Sequence, residues 1–145
     1  MADQYDVLKL ENQLCFPLYA CSKEIVKKYK PYLDELDLTY TQYITMMVLW
    51  EHRQMNVKEL GGYLYLDSGT LTPVLKKLEQ KGWIERSRAK EDERVLNVTL
   101  TEAGYALKEK AVQIPKFIGA CIKLESEEAN LLYKTLYKIL GELVQ

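Results

Sequence analysis

The sequence predicts a mainly α-helical fold carrying one small β-hairpin. Three observations predict it. Apolar residues recur at helical spacing over most of the chain, cap-type residues stand just before most of those runs, and only "WIERSR" and "VLNVTL" change to the short β-rich pattern of strands. The 145 residues suit a single domain, residues 1–145, and 48% apolar with 28% charged residues is a soluble globular composition.

Element by element, Leu14, Leu18, Ile25, Val26 and Tyr29 mark a first helix over about residues 7–29, with Pro31 ending the pattern. Thr39 with Gln42 forms a capping-box pair before an almost wholly apolar run to about His52, a buried helix. Asn56 and Glu59 repeat the signal for a helix of about two turns, stopped by its glycines. Asp67 and Ser68 then precede a stripe of Leu71, Leu75 and Leu78 that ends at Gly82. In the second β-rich segment Leu96, Val98 and Leu100 alternate with Val95, Asn97 and Thr99, as in a half-buried strand, and "AKEDER" is the charged tip of the hairpin. Thr101 with Glu102 caps a helix that Pro115 interrupts. Ser126 with Glu127 and Glu128 caps a last helix striped by Leu132, Leu136, Ile139, Leu140 and Leu143.

Several classes are excluded or disfavoured. No apolar run approaches the roughly 18 residues of a membrane span, and "MADQYDVLKLENQ" has neither the basic start nor the apolar core of a signal peptide. A cytoplasmic protein is expected. Three cysteines, at 15, 21 and 121, fit neither a disulfide scaffold nor a zinc site, so no metal or cofactor is expected. His52 stands alone, and the eleven tyrosines form no cofactor box. Met46, Met47 and Trp50 read as core or pocket walls. A net charge of −1 argues against a generally basic polyanion binder but not against a local basic face.

Two short helices followed by a charged hairpin make the layout of a winged helix-turn-helix, in which the second helix enters the major groove and the hairpin reaches the minor groove. Residues 68–81 have the division of labour this requires. The leucines face a core, while Thr72, Lys76, Lys77 and Gln80 fall on the far side of the helical wheel, and Ser68 and Thr70 sit at its start. Pro73 falls near the end of the first turn, where its missing N–H costs least. The hairpin supplies Arg86, Arg88, Lys90 and Arg94, and an arginine at a wing tip suits a narrow, negative minor groove. Mixed charge is also what an ordinary solvated surface carries, since Glu79, Glu85, Glu91, Asp92 and Glu93 lie among these residues. The layout moves the balance toward nucleic acid.

"LYLDSGTLTPVLKKLEQKGWIERSRAKEDERVLNVTLTEAG", with its D-x-R at Asp92 and Arg94, resembles the winged-helix core of the MarR superfamily of bacterial repressors. Together with "LENQLCFPLYA", "YKPYL" and "LTYTQY" it resembles the OhrR branch, whose members sense organic hydroperoxides. The resemblance covers nearly the whole chain. It implies a homodimer formed by the terminal helices, about residues 1–35 and 102–145, with the winged helix-turn-helix over about 39–101. It also implies a double-stranded, pseudo-palindromic DNA operator that is released when an N-terminal cysteine is oxidised, and no enzymatic turnover. By position Cys15 is the sensing thiol, and Tyr29 and Tyr40 match the tyrosines that hydrogen-bond it. Cys121 corresponds to the resolving cysteine of two-cysteine members, which pairs with the sensor of the other subunit; a mixed disulfide with a low-molecular-weight thiol, with Cys121 as core filler, is the alternative.

In a continuous helix Tyr29 lies fourteen residues, about 21 Å, beyond Cys15, so a Tyr29 contact would have to come from another chain. Cys21 is out of disulfide reach of Cys15 on the same helix and reads as a small buried residue. Pro17, where the family has an aliphatic residue, is expected to kink the sensor helix if it lies in the helix interior, or to be inconsequential if the helix starts or bends near it. Thr41, where the family often shows proline, is a smaller departure. The competing function is that of a MarR relative released by a small aromatic ligand between the helices, with Cys15 incidental. A peroxidase is disfavoured because no arginine or acid is placed to drive turnover at Cys15.

Overall fold

The computed structural model describes residues 3–144. Short 3-10 turns at Gln4–Leu8 and Leu10–Asn12 precede helix α1 (Cys15–Asp34), which therefore starts well after residue 7. The reason lies in the polar side chains of the lead. The Asn12 amide donates to the Asp6 carbonyl at 2.7 Å, and the Gln13 amide donates to those of Val7 at 2.7 Å and Lys9 at 2.8 Å. Such side chains compete with the helix for backbone partners.

This start removes the expected kink at Pro17. Pro17 is the third residue of α1, and the carbonyl its N–H would have met, that of Gln13, lies outside the helix. Pro31 does not end the helix either; α1 runs on to Asp34. The chain turns in a Schellman motif, with Leu38 N–H donating to Leu33 C=O at 3.0 Å and Asp37 left-handed at φ 54°. Leu33, Leu36 and Leu38 bury this corner.

Helix α2 (Tyr40–His52) opens with the predicted capping box: Thr39 Oγ accepts from Gln42 N–H at 3.3 Å and Gln42 Oε1 accepts from Thr39 N–H at 3.1 Å. It is followed by strand β1 (Gln54–Asn56), helix α3 (Val57–Leu64) and helix α4 (Ser68–Gln80). The glycines do not stop α3. Gly61 and Gly62 lie inside it, and Tyr65, left-handed at φ 56°, ends it. Gly61 is there because a Cβ would strike the Leu66 carbonyl. Helix α4 is capped by Asp67, which accepts from Thr70 N–H at 2.7 Å, and Gly82 beyond its end sits at φ 84°. Pro73 lies deeper than the first turn, so the carbonyl of Gly69 loses its usual donor. Leu71, Leu75 and Leu78 offset this, each fully buried and contributing about 1.5–3 kcal/mol.

Strands β2 (Ile84–Arg88) and β3 (Leu96–Leu100) form the predicted hairpin, in register Ile84↔Leu100 to Arg88↔Leu96. Strand β1, whose three residues are too few for an alternation to be read, joins the other edge of β3 to give the antiparallel order β1-β3-β2. Thr101 caps α5 (Glu102–Ala106), accepting from Gly104 N–H at 3.0 Å. The expected single helix is three: α5, α6 (Lys108–Ala111) and α7 (Ile114–Cys121), broken before Pro115, which sits in the first turn of α7. Helix α8 (Ser126–Leu143) is preceded by Glu125 as N-cap rather than Ser126, and the Glu125 N–H donates to Glu128 Oε1 at 3.0 Å.

The chain forms two compact units that divide between Ile114 and Pro115. The first holds the winged helix-turn-helix, with its core between α2, α3, α4 and the sheet around Met46, Leu49, Leu60, Leu75 and Val98. The second holds α8, of which no residue is fully buried. Among the described residues no helix is long and apolar enough to cross a membrane.

Candidate nucleic-acid interface and redox site

The buried leucine stripe of α4 leaves Ser68, Thr70, Thr72, Lys76 and Lys77 exposed together. Thr72 Oγ donates to the Ser68 carbonyl at 2.7 Å, which orients the hydroxyl and leaves its lone pairs outward. The Asp67 carboxyl is held below the usual carboxylate range, chiefly by the backbone N–H of Thr70, so the cap stays ionised at neutral pH. The exposed ammonium and hydroxyl groups along α4 can meet phosphates and base edges.

The wing carries two differently placed arginines. Arg94 is 91% exposed; its guanidinium donates to both carboxylate oxygens of Asp92, at 3.1 and 3.2 Å, and its backbone N–H to Asp92 Oδ1 at 3.0 Å. Those bonds hold the Asp92 carboxyl below its usual range. The D-x-R pattern is thus a local brace that presents an arginine at the tip. Arg86 is engaged inward. Its Nε and Nη2 donate to Glu79 Oε1 at 3.2 and 2.9 Å, and its backbone N–H donates to Glu79 Oε2 at 3.1 Å. The Glu79 carboxyl, held low mainly by this guanidinium, ties α4 to the first strand of the wing. Nothing in a one-dimensional charge pattern marks Glu79 as different from the other acids nearby.

Cys15 is the first residue of α1 and exposed. Cys21 and Cys121 are exposed in the single chain as well, so neither is core filler there. Helix α1 is continuous, which keeps Cys15 about 21 Å from Tyr29 and about 9 Å along the axis from Cys21.

Tyr29 and Tyr40 come together from α1 and α2, ring centroids 5.0 Å apart. Tyr43, which the sequence did not single out, joins them at 5.7 Å from Tyr29 and 6.3 Å from Tyr40, and Trp50 closes the cluster at 6.3 Å from Tyr43. The i, i+3 spacing of Tyr40 and Tyr43 was the available signal. Burial raises all three phenols, that of Tyr43 to about 12, where the neighbouring phenols add to the effect. At neutral pH each therefore remains an O–H donor.

Residues 27–111 match the model of the transcriptional regulator SarA/Rot family. The chain is 52% identical over 145 residues to the organic hydroperoxide resistance transcriptional regulator of Bacillus subtilis (strain 168), covering all of this chain and 99% of that protein. The chain belongs to the OhrR branch of the MarR superfamily. Among solved structures, reduced AbfR of Staphylococcus epidermidis bound to DNA superposes with a TM-score of 0.79 at 34% identity, covering 99% of this chain and 100% of that one. A disulfide-formed AbfR superposes with a TM-score of 0.68 at 33% identity, covering 98% and 97%. The OhrR-branch resemblance of the cysteine-bearing and tyrosine-bearing stretches thus extends over the full length, and the winged-helix fold expected from the layout is the fold observed.

Proposed function

We propose that this chain is a dimeric, cytoplasmic repressor that holds a pseudo-palindromic operator while Cys15 is reduced and leaves it when an organic hydroperoxide oxidises Cys15. The carrying observation is the unbroken α1. It separates Cys15 from Tyr29 by about 21 Å within one chain while placing Tyr29 against Tyr40. A thiol served by those two hydroxyls is therefore one from the partner subunit, and the sensor is built only in the dimer.

The chemistry follows from the donors. Phenol O–H groups hydrogen-bond the Cys15 thiolate. The thiolate sulfur attacks the terminal peroxide oxygen, the O–O bond breaks, and the alkoxide leaves as the alcohol after taking a proton; the sulfur becomes a sulfenic acid. A second thiol then displaces hydroxide, which leaves as water, to give a disulfide. Cys121 of the partner subunit and a low-molecular-weight thiol are the two candidates. Either product replaces an anion at the tyrosine cluster by a neutral, bulkier group and biases the helices that carry the recognition helix α4. Each thiol reacts once, so the chain acts as a stoichiometric sensor rather than an enzyme. On DNA, Ser68, Thr70, Thr72, Lys76 and Lys77 serve the major groove and Arg94 the minor groove, with Asp92 as its brace and Arg86 holding the wing to Glu79.

The test is intact mass without reductant, before and after one equivalent of an organic hydroperoxide, with and without a small thiol, on the wild type, Cys15→Ser and Cys121→Ser. A covalent dimer that Cys121→Ser abolishes identifies the two-cysteine route, and a monomer with an oxygen or thiol adduct on Cys15 identifies the other. An unchanged mass, or release of Cys15→Ser from DNA by peroxide, overturns the proposal.

A further inference from the structure

We infer that Lys81 is the positioning residue that couples the tyrosine cluster to the recognition helix, an inference that rests on the sensor reading above. Lys81 is the C-cap of α4, and its side chain leaves the helix end to reach the corner between α1 and α2. There its ammonium donates to the backbone carbonyl of Asp37 and, at 3.0 Å, to Gln42 Oε1, with Asp37 Oδ2 at 3.6 Å. The side chain is only 23% exposed, so these are charge-assisted contacts in a partly desolvated place.

Both acceptors are held rigidly. Asp37 occupies the left-handed position of the Schellman turn, which fixes where its carbonyl stands. Gln42 is 3% exposed, and the same Oε1 that meets Lys81 accepts the Thr39 N–H of the α2 capping box. One amide oxygen therefore ties the first turn of α2 to the C-cap of α4. Tyr40, the residue that starts α2, lies between Thr39 and Gln42 and carries the ring that packs on Tyr29. A shift of Tyr40 that moves the first turn of α2 moves Gln42 Oε1 and the Asp37 carbonyl, and with them the Lys81 end of α4. Apolar packing between α2 and α4 tolerates sliding; an ammonium donating to two fixed acceptors does not.

A residue that merely stabilises the fold would leave untouched the ratio of operator Kd after oxidation to operator Kd before it. That ratio, measured by fluorescence anisotropy on full-length dimer, is the readout. Lys81→Met keeps the aliphatic stem and deletes the donors; it is expected to shrink the ratio at least about fivefold from a wild-type value in the range of about 5–150 typical of allosteric coupling. Gln42→Leu should shrink it similarly, and the double variant no further, because both cut the same connection. Lys81→Leu, which likewise has no donor, carries the same test if Lys81→Met melts below the assay temperature. A wild-type ratio retained by the Lys81 variants overturns the inference and leaves the sensor reading intact; a wild type whose affinity is indifferent to oxidation overturns both.

Discussion

Tyr43 shows how much a single side chain's surroundings change its chemistry. Buried among Tyr29, Tyr40 and Trp50, its phenol is raised from 10.0 to about 12. The folded state keeps this proton where the unfolded chain has lost it. The stabilisation is therefore fully present below about pH 10 and is lost as pH rises through about 12. Absorbance at 295 nm should show a phenolate step near pH 12 that disappears in Tyr43→Phe, and the variant should lose less stability than the wild type between pH 10 and 12. Pro17 makes the opposite point. It looks damaging in a helix and is harmless, because the polar side chains of Asn12 and Gln13 hold the preceding residues in turns and the helix starts two residues before it. Gly104 is required for a third reason: a Cβ there would overlap the Trp83 carbonyl, and its own carbonyl accepts the Trp50 indole N–H at 2.8 Å.

At the scale of the element, the wing and the recognition helix behave as one body. Two guanidinium N–H groups of Arg86 on β2 donate to Glu79 Oε1 on α4 and the Arg86 backbone N–H donates to Oε2, so the hairpin's angle to α4 is set by charge-assisted bonds rather than by apolar packing alone. Arg94, beyond that clamp, is 91% exposed and owes the fold nothing. Arg94→Ala should leave thermal unfolding unchanged and weaken operator binding by about 1–3 kcal/mol, measured by anisotropy at fixed salt. An unaltered affinity would mean the wing tip does not touch DNA. Legibility differed sharply between the two halves of this element pair. The leucine stripe of α4 and the alternation of β3 are periodic and were readable, whereas the Glu79–Arg86 clamp joins residues seven apart across a turn, where no periodicity acts.

At the scale of the whole molecule, the exposed apolar side chains are the main fact left over. Leu131, Leu132 and Leu143 of α8 are 68%, 46% and 74% exposed, and Leu8 and Leu14 before α1 are 75% and 74% exposed. Exposed leucines along one helix, as on α8, mark a face that a second molecule can cover, and the sensor proposed above requires a second subunit. Leu132→Glu should shift the protein to monomer in sedimentation velocity and cost operator affinity roughly 10²–10⁴-fold through loss of the second half-site. A variant that remains dimeric would place the interface elsewhere.

The sequence by itself determined the helical class, most of the caps, the leucine stripe of the recognition helix, the hairpin and the family, because each is written in local spacing or in a contiguous motif. It also gave the fourteen-residue spacing of Cys15 and Tyr29, which the unbroken α1 of the structure turns into a separation of about 21 Å. Tertiary structure alone decided where α1 begins, that three short helices replace one, that β1 completes the sheet, that Tyr43 joins the tyrosine pair, and that Lys81 reaches back to Asp37 and Gln42. The physical reason is common to these. Spacing reports which residues share a face of one element, while helix starts, strand edges, aromatic clusters and long side-chain bonds depend on which distant backbone groups and rings are near enough to compete for the same partner.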